Sequence, residues 1–184
     1  MEKLTIEEIR KRFELGKEFN EIFDAFEQAL ALRVADIEVY RLLFWNNTLT
    51  PDELCLFGEK LAKEFPELAY DIFMWLANVF EVSHAMYDNH ELAFEYYRKA
   101  AQVRPSMLNP YIEAADCYEP DLNIPPIVSL IDFLKKGITA VAEPKLLYEK
   151  LVYFYEMSGN DEMSEYYKRK LSDVRPPSQL STDQ

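Results

Sequence analysis

The 184-residue chain is poor in the residues on which most enzyme sites are built: 4 Gly, 2 Cys and 2 His. So few glycines leave no glycine-rich phosphate loop and no nucleophile elbow. Cys55 and Cys117 lack the paired spacing of a metal knuckle and sit inside apolar helical patterns, so buried reduced thiols are expected. With only His84 and His90, histidine-based acid–base chemistry has little material.

Long apolar runs are also missing. The longest, from Ile72 to Phe80, is broken by Asn78 and falls far short of the ~20 residues a membrane helix needs. Positive charge is scarce: 33 acidic against 20 basic residues give a formal charge of -13. Nucleic acid would require a basic stripe, and anionic membrane surfaces are disfavoured by the same sign. A basic protein or peptide would be attracted, although acidity also serves plain solubility. The start, Met1-Glu2-Lys3-Leu4-Thr5, enters a charged amphipathic run without the apolar core of a signal peptide, and the expected location is the cytoplasm.

What is present is helix. Apolar residues recur at three- and four-residue spacing, as in Ile6, Ile9, Phe13 and in Leu147, Leu151, Phe154, with no convincing alternating strand. Thr50-Pro51-Asp52-Glu53 reads as a capping box with Pro at the first helical position, and Thr5 with Glu8 and Asp88 with Glu91 repeat its logic. Cations followed by proline mark ends: Lys60 and Lys63 before Pro66, Arg98, Lys99 and Arg104 before Pro105, Lys135 and Lys136 before Pro144, Lys168 to Lys170 with Arg175 before Pro176.

Those prolines are spaced by 39, 39 and 32 residues, which points to internal repeats. Laying Asn89 to Pro105 over Asn160 to Pro176 without gaps gives 8 identities in 17 positions, including Tyr96 and the Val103-Arg104-Pro105 ending. The two segments read as copies of one helix.

The repeats resemble the tetratricopeptide unit, about 34 residues of helix, turn and helix. The last copy carries Tyr148, Leu151-Val152, Tyr155, a turn at Gly159, then Ser164, Leu171 and Pro176. The third has Tyr111, Ala114-Ala115 and Tyr118, then an inserted loop from Glu119 to Pro126 before Leu130, Leu134 and Gly137. The second offers Trp75, Asn78-Val79 and Val82, then Ala93, Tyr97, Ala100 and Pro105; the first offers Tyr40, Leu43-Phe44, Leu54, Gly58, Leu61 and Pro66.

The resemblance implies an all-α, right-handed solenoid of four helical hairpins over residues 36–66, 67–105, 106–144 and 145–176. A capping helix or helices over 1–35 would cover the first hairpin, where Leu15-Gly16 and Phe19 echo a first helix without room for a second. Residues 177–184 form a polar tail.

In that family the concave groove is lined by the first helix of each pair, just after the leading aromatic and five and eight residues beyond it. The carry-over gives Arg41, Trp45 and Thr48; Leu76, Phe80 and Ser83; Ile112, Asp116 and Glu119; Glu149, Tyr153 and Glu156. Such a groove grades from apolar and aromatic to acidic and lacks the Lys and Asn clamp for a C-terminal carboxylate. Most other aromatics, Tyr96, Tyr97, Tyr148, Phe154 and Tyr155 among them, are read as core.

One pair suggests chemistry, because Glu81 and His84 form a Glu-x-x-His, as in carboxylate di-metal bundles. That site needs a second copy, and the residue three before His90 is Tyr87, so no metal or cofactor is expected. Acid pairs such as Glu7-Glu8 and Glu162-Glu165 read as solvated helix faces. The expected function is a non-enzymatic adaptor binding a protein or peptide, with basic residues suited to the acidic end of the groove. The alternative is a scaffold that self-associates through its N-terminal helix or repeat ends.

Overall fold

The computed structural model describes residues 3–83 and 87–173, with the side chains of 83, 87 and 88 left out. Among the described residues every regular element is helical, and the one β-type pairing is an isolated bridge between Glu119 and Ile124. No described helix is long and apolar enough to cross a membrane. The chain divides into two compact units, 1–104 and 105–184.

Unit 1 begins with α1 (Ile6–Leu15) and α2 (Phe19–Ala31), two helices where the sequence allowed one or two. Thr5 caps α1 as expected: its backbone N–H donates to the Glu8 carboxylate at 2.7 Å and the Glu8 N–H donates to the Thr5 hydroxyl at 3.3 Å. The break falls at Gly16, where an added Cβ would lie 2.4 Å from the Arg12 carbonyl oxygen and 2.8 Å from Ile22. α3 (Ile37–Phe44) starts from Asp36, whose carboxylate accepts from the Glu38 N–H at 3.0 Å. α4 (Pro51–Glu64) starts from the Thr50–Glu53 capping box with Pro51 at its first position, and a 3-10 turn (Pro66–Leu68) leads into α5 (Ala69–Ser83) and α6 (Tyr87–Val103). The expected Asp88–Glu91 cap falls partly outside the described residues.

Each helix buries one stripe, and the stripes set the packing. α1 packs on α2 and α3, α3 on α5, and α5 on α4 and α6. The core between α1 and α4 is aromatic: Phe26 stands edge-on to Phe57 at 4.8 Å and to Tyr40 at 6.3 Å, and Phe13 meets Tyr40 at 6.0 Å. Burying each such ring is worth about 1.5–3 kcal/mol. Tyr40 is fully buried and donates its hydroxyl to the Val34 carbonyl at 2.8 Å, so its polar end is satisfied. Cys117 is buried, whereas Cys55 on α4 is only half-buried, a correction to the sequence expectation; neither forms a disulfide.

Unit 2 holds α7 (Asn109–Asp116), α8 (Ile127–Ala140), α9 (Lys145–Met157) and α10 (Asp161–Asp173). α7 packs on α8 and α9, α8 on α9, and α9 on α10. The inserted loop after α7 is closed by the Glu119–Ile124 bridge and by Asn123, whose side-chain oxygen accepts from the Ile127 N–H at 3.1 Å and the Tyr118 hydroxyl at 3.2 Å. On α8, Gly137 is needed for closeness, since a Cβ there would lie 2.8 Å from both Leu147 and the Tyr111 ring.

The two related segments occupy comparable helices, α6 and α10. Ala93 and Ser164 are buried at the matched position, as are Tyr96 and Tyr167 four residues from the next matched pair, Ala100 and Leu171. The shared Val-Arg-Pro ending of the second segment lies outside the described residues.

Candidate functional site

The first helices of the expected hairpins are α3, α5, α7 and α9, and each carries an accessible stripe opposite its buried one. On α3, Arg41 is half-buried, and Trp45, which caps the end of that helix, is 44% exposed. Arg41 pairs with Glu38 at 3.0 Å and holds its guanidinium over the Trp75 ring of α5 at 5.4 Å. A cation over a ring at a partly exposed position contributes roughly 0.5–1 kcal/mol. Thr48 is exposed and bonds Asn46 and Gly16 through its hydroxyl, at 2.6 and 3.3 Å.

α5 corrects the expected groove. Leu76 and Phe80 are fully buried, Leu76 with its Cδ1 2.2 Å from where a Gly58 Cβ would stand, and Phe80 stacked on Tyr96 at 5.6 Å. They cannot meet a ligand. The buried residues of α5 include Phe73, Leu76, Ala77 and Phe80, which have the same offsets as Tyr111, Ala114 and Ala115 on α7 and Tyr118 just after it. That series starts two residues before the expected one from Trp75.

The accessible face of α5 is then Asp71, Trp75, Asn78 and Glu81, all half-buried. The Tyr97 hydroxyl of α6 lies 2.7 Å from the Glu81 carboxylate and 3.2 Å from Asn78. Glu81 is thereby engaged within the helix pair, while His84 and the side chain of Ser83 lie outside the described residues. Among the described residues no group of three or more His, Cys, Asp or Glu could hold a metal ion.

Unit 2 gathers three of the expected residues at one place. A cleft of about 410 Å³ between α7 and α9 is lined by Asp116, Glu149 and Tyr153, together with Ala115, Tyr118 and Lys150. Lys150 forms an ion pair with Asp116 across it. Among the described residues Glu149 pairs with Lys145 on its own helix, at 3.9 Å. Tyr153 is 48% exposed and rests against Phe154 at 5.4 Å, and Phe154 in turn meets Tyr118 edge-on at 5.3 Å. Burial pushes the Tyr118 phenol up, and the neighbouring Tyr153 phenol adds to it.

The other candidates lie apart from this cleft's lining. Ile112 is half-buried on α7. Glu119 belongs to the loop, where its carboxylate accepts from the Asp121 N–H at 3.4 Å. Glu156 turns to α10, where it pairs with Lys168 at 2.9 Å and accepts from the Ser164 hydroxyl at 3.4 Å.

Trp75, Asn78 and Glu81 in unit 1, and Tyr118 and Lys150 in unit 2, are surface-lining residues that the spacing alone did not select. Spacing could not select the first three, since the series Phe73, Leu76-Ala77, Phe80 and the series Trp75, Asn78-Val79, Val82 have the same offsets and only burial separates them. Comparison of the chain with protein-family models and with curated proteins finds no match to either.

Proposed function

We propose that the chain is a non-enzymatic, cytoplasmic protein-interaction module, an adaptor whose TPR-like hairpins stack as a right-handed solenoid and whose first helices bind a peptide or protein segment. The observation that carries this reading is the side-by-side packing of alternate helices, α1 with α3 and α3 with α5 in unit 1, α7 with α9 in unit 2. Stacked hairpins pack in this way, each contacting only its neighbours. In unit 1 the accessible stripe combines Arg41, Trp45 and Trp75 with Glu81; in unit 2 it combines Tyr118 and Tyr153 with Asp116 and Glu149. Exposed aromatics beside charged groups suit a protein partner, because rings supply contact area and charges supply selectivity.

The test is affinity capture on the full chain, followed by the same capture with Trp45→Ala and with Tyr153→Ala. Loss of one defined partner by either variant, with helicity unchanged by circular dichroism, supports the reading. A partner held equally by both variants removes it.

A second reading, self-association through the N-terminal end, is favoured by one observation: Ile6 and Leu15 on α1 are 53% and 61% exposed. Removing the N-terminal helices would uncover Tyr40 on α3, against which Phe13 and Phe26 pack, so the cleaner variant is Ile6→Glu with Leu15→Glu in the full chain. Light scattering that finds a dimer in the native chain and a monomer in that variant supports it. A native monomer at all concentrations disposes of it.

A further inference from the structure

Residues 105–134 hold five carboxylates, Glu113, Asp116, Glu119, Asp121 and Asp132, and no Lys, Arg or His. The cation that reaches Asp116 comes from α9, in the form of Lys150. Glu149, one residue before Lys150, has among the described residues the long contact to Lys145, an exposed pair at i and i+4 of the kind that contributes little and is readily exchanged. It is the cleft carboxylate best placed to take a new partner.

An apolar face accompanies it. Leu146, Tyr153 and Met157 on α9 are 45%, 48% and 43% exposed. Their spacing of seven and four residues puts them on one side of the helix, the side on which Glu149 and Tyr153 line the cleft. Tyr118 forms the opposite wall from the α7 side. The face thus offers an apolar rail interrupted by an aromatic cleft with a carboxylate in it.

We propose that this face of unit 2 docks a cationic amphipathic segment of a partner protein. The segment's apolar side chains cover Leu146, Tyr153 and Met157, and one Arg or Lys enters the cleft beside the Tyr118 and Tyr153 rings to pair with Glu149. The proposal rests on the adaptor reading and deepens it by naming the partner's chemistry. The occupant follows from complementarity: a cation meets both the ring faces and the carboxylate, whereas an acidic segment would be repelled by α7 and by the chain's net charge. The same charge steers a basic segment toward the protein at long range.

The probe is a fluorescent helical peptide of about 14 Leu and Lys residues with the leucines on one face. It is compared with its Leu/Glu counterpart and with a scrambled Leu/Lys peptide, by anisotropy against the full chain at near-physiological salt. The expected result is binding of the amphipathic Leu/Lys peptide alone, weakened about fivefold or more by Glu149→Gln and by Tyr153→Ala. Glu14→Gln on α1, an exposed carboxylate far along the sequence, is expected to leave it unchanged.

Equal weakening by Glu14→Gln would mean diffuse attraction to an acidic surface and overturn the proposal. So would equal binding of the scrambled or Leu/Glu peptide, or indifference to both cleft variants. A cellular partner lost with Trp45→Ala but retained with Glu149→Gln would sink this inference and leave the adaptor reading standing; a partner indifferent to every face variant would sink both.

Discussion

The Asn46 side-chain amide donates to the Gly16 carbonyl at 3.0 Å, and its second N–H reaches the Phe13 carbonyl at 2.8 Å. Asn46 is 6% exposed and follows α3, while Gly16 ends α1, so one buried side chain satisfies carbonyls that the end of α1 leaves without helical partners. Its own oxygen accepts from the Thr48 N–H at 3.0 Å. The contact α1–α3 is thereby fixed by hydrogen bonds as well as by Phe13 and Tyr40.

Asn46→Ala removes both donors; the Thr48 hydroxyl still reaches the Gly16 carbonyl, but the Phe13 carbonyl loses the Asn46 donor, which should cost about 1–3 kcal/mol. Asn46→Asp should cost at least as much, because it aims a carboxylate at carbonyl oxygens. Urea unfolding of the two variants checks this, and an unchanged midpoint for both would show that water reaches the end of α1.

Phe80 and Trp45 separate core from surface. Phe80→Ala should destabilise the chain by about 3–5 kcal/mol, since a fully buried ring leaves a cavity. Trp45→Ala, at a half-exposed position, should stay within about 1 kcal/mol of the native chain by chemical unfolding. Comparable losses would place Trp45 in a packed environment and end its candidacy for a binding face.

Two glycines should lose stability on substitution for different reasons. Gly137→Ala should lower stability, because displacing the Tyr111 ring, itself packed on Phe133 at 4.7 Å, costs about 1–3 kcal/mol and outweighs the ~1 kcal/mol gain in helix propensity. Gly159 has nothing within 4 Å of its Cβ direction but a φ of +69°, so strain there comes from the backbone alone. Gly159→Asn should therefore be milder than Gly159→Ala, as thermal unfolding of the three variants would reveal.

The Thr5 N–H and hydroxyl hold the Glu8 carboxyl below its usual range. A depressed folded-state value means that its contribution is complete above the ordinary carboxylate range and is lost as pH falls through the lowered value. An NMR titration of the Glu8 side chain should give a midpoint below that of free glutamate. Thr5→Ala should move it back upward, and a midpoint insensitive to Thr5 would deny the capping box in solution.

Much of the local structure was legible in the chain itself. Helix starts follow from Thr5, Glu8, Thr50, Pro51 and Glu53, because caps act within a few residues and need no tertiary partner. The three- and four-residue apolar spacing determined that the described elements are helices, since only that period lines one side of one. The third and fourth copies also yielded Asp116, Glu149 and Tyr153 for a common cleft, because a single leading tyrosine sets the frame in α7 and in α9.

The frame of α5 belonged to the tertiary structure. Phe73, Trp75, Phe80 and their apolar neighbours cover so much of that helix that periodicity alone permits two stripes two residues apart. The choice was made by neighbours distant in sequence: Gly58 leaves room for Leu76, Tyr96 receives Phe80, and Arg41 covers Trp75. Packing also decided which carboxylates stay open, giving Glu156 to Lys168 and Asp116 to Lys150 while leaving Glu149 in the cleft. Local sequence sets a helix and its apolar side, but which residues are covered depends on the shape and charge of whatever is brought against it.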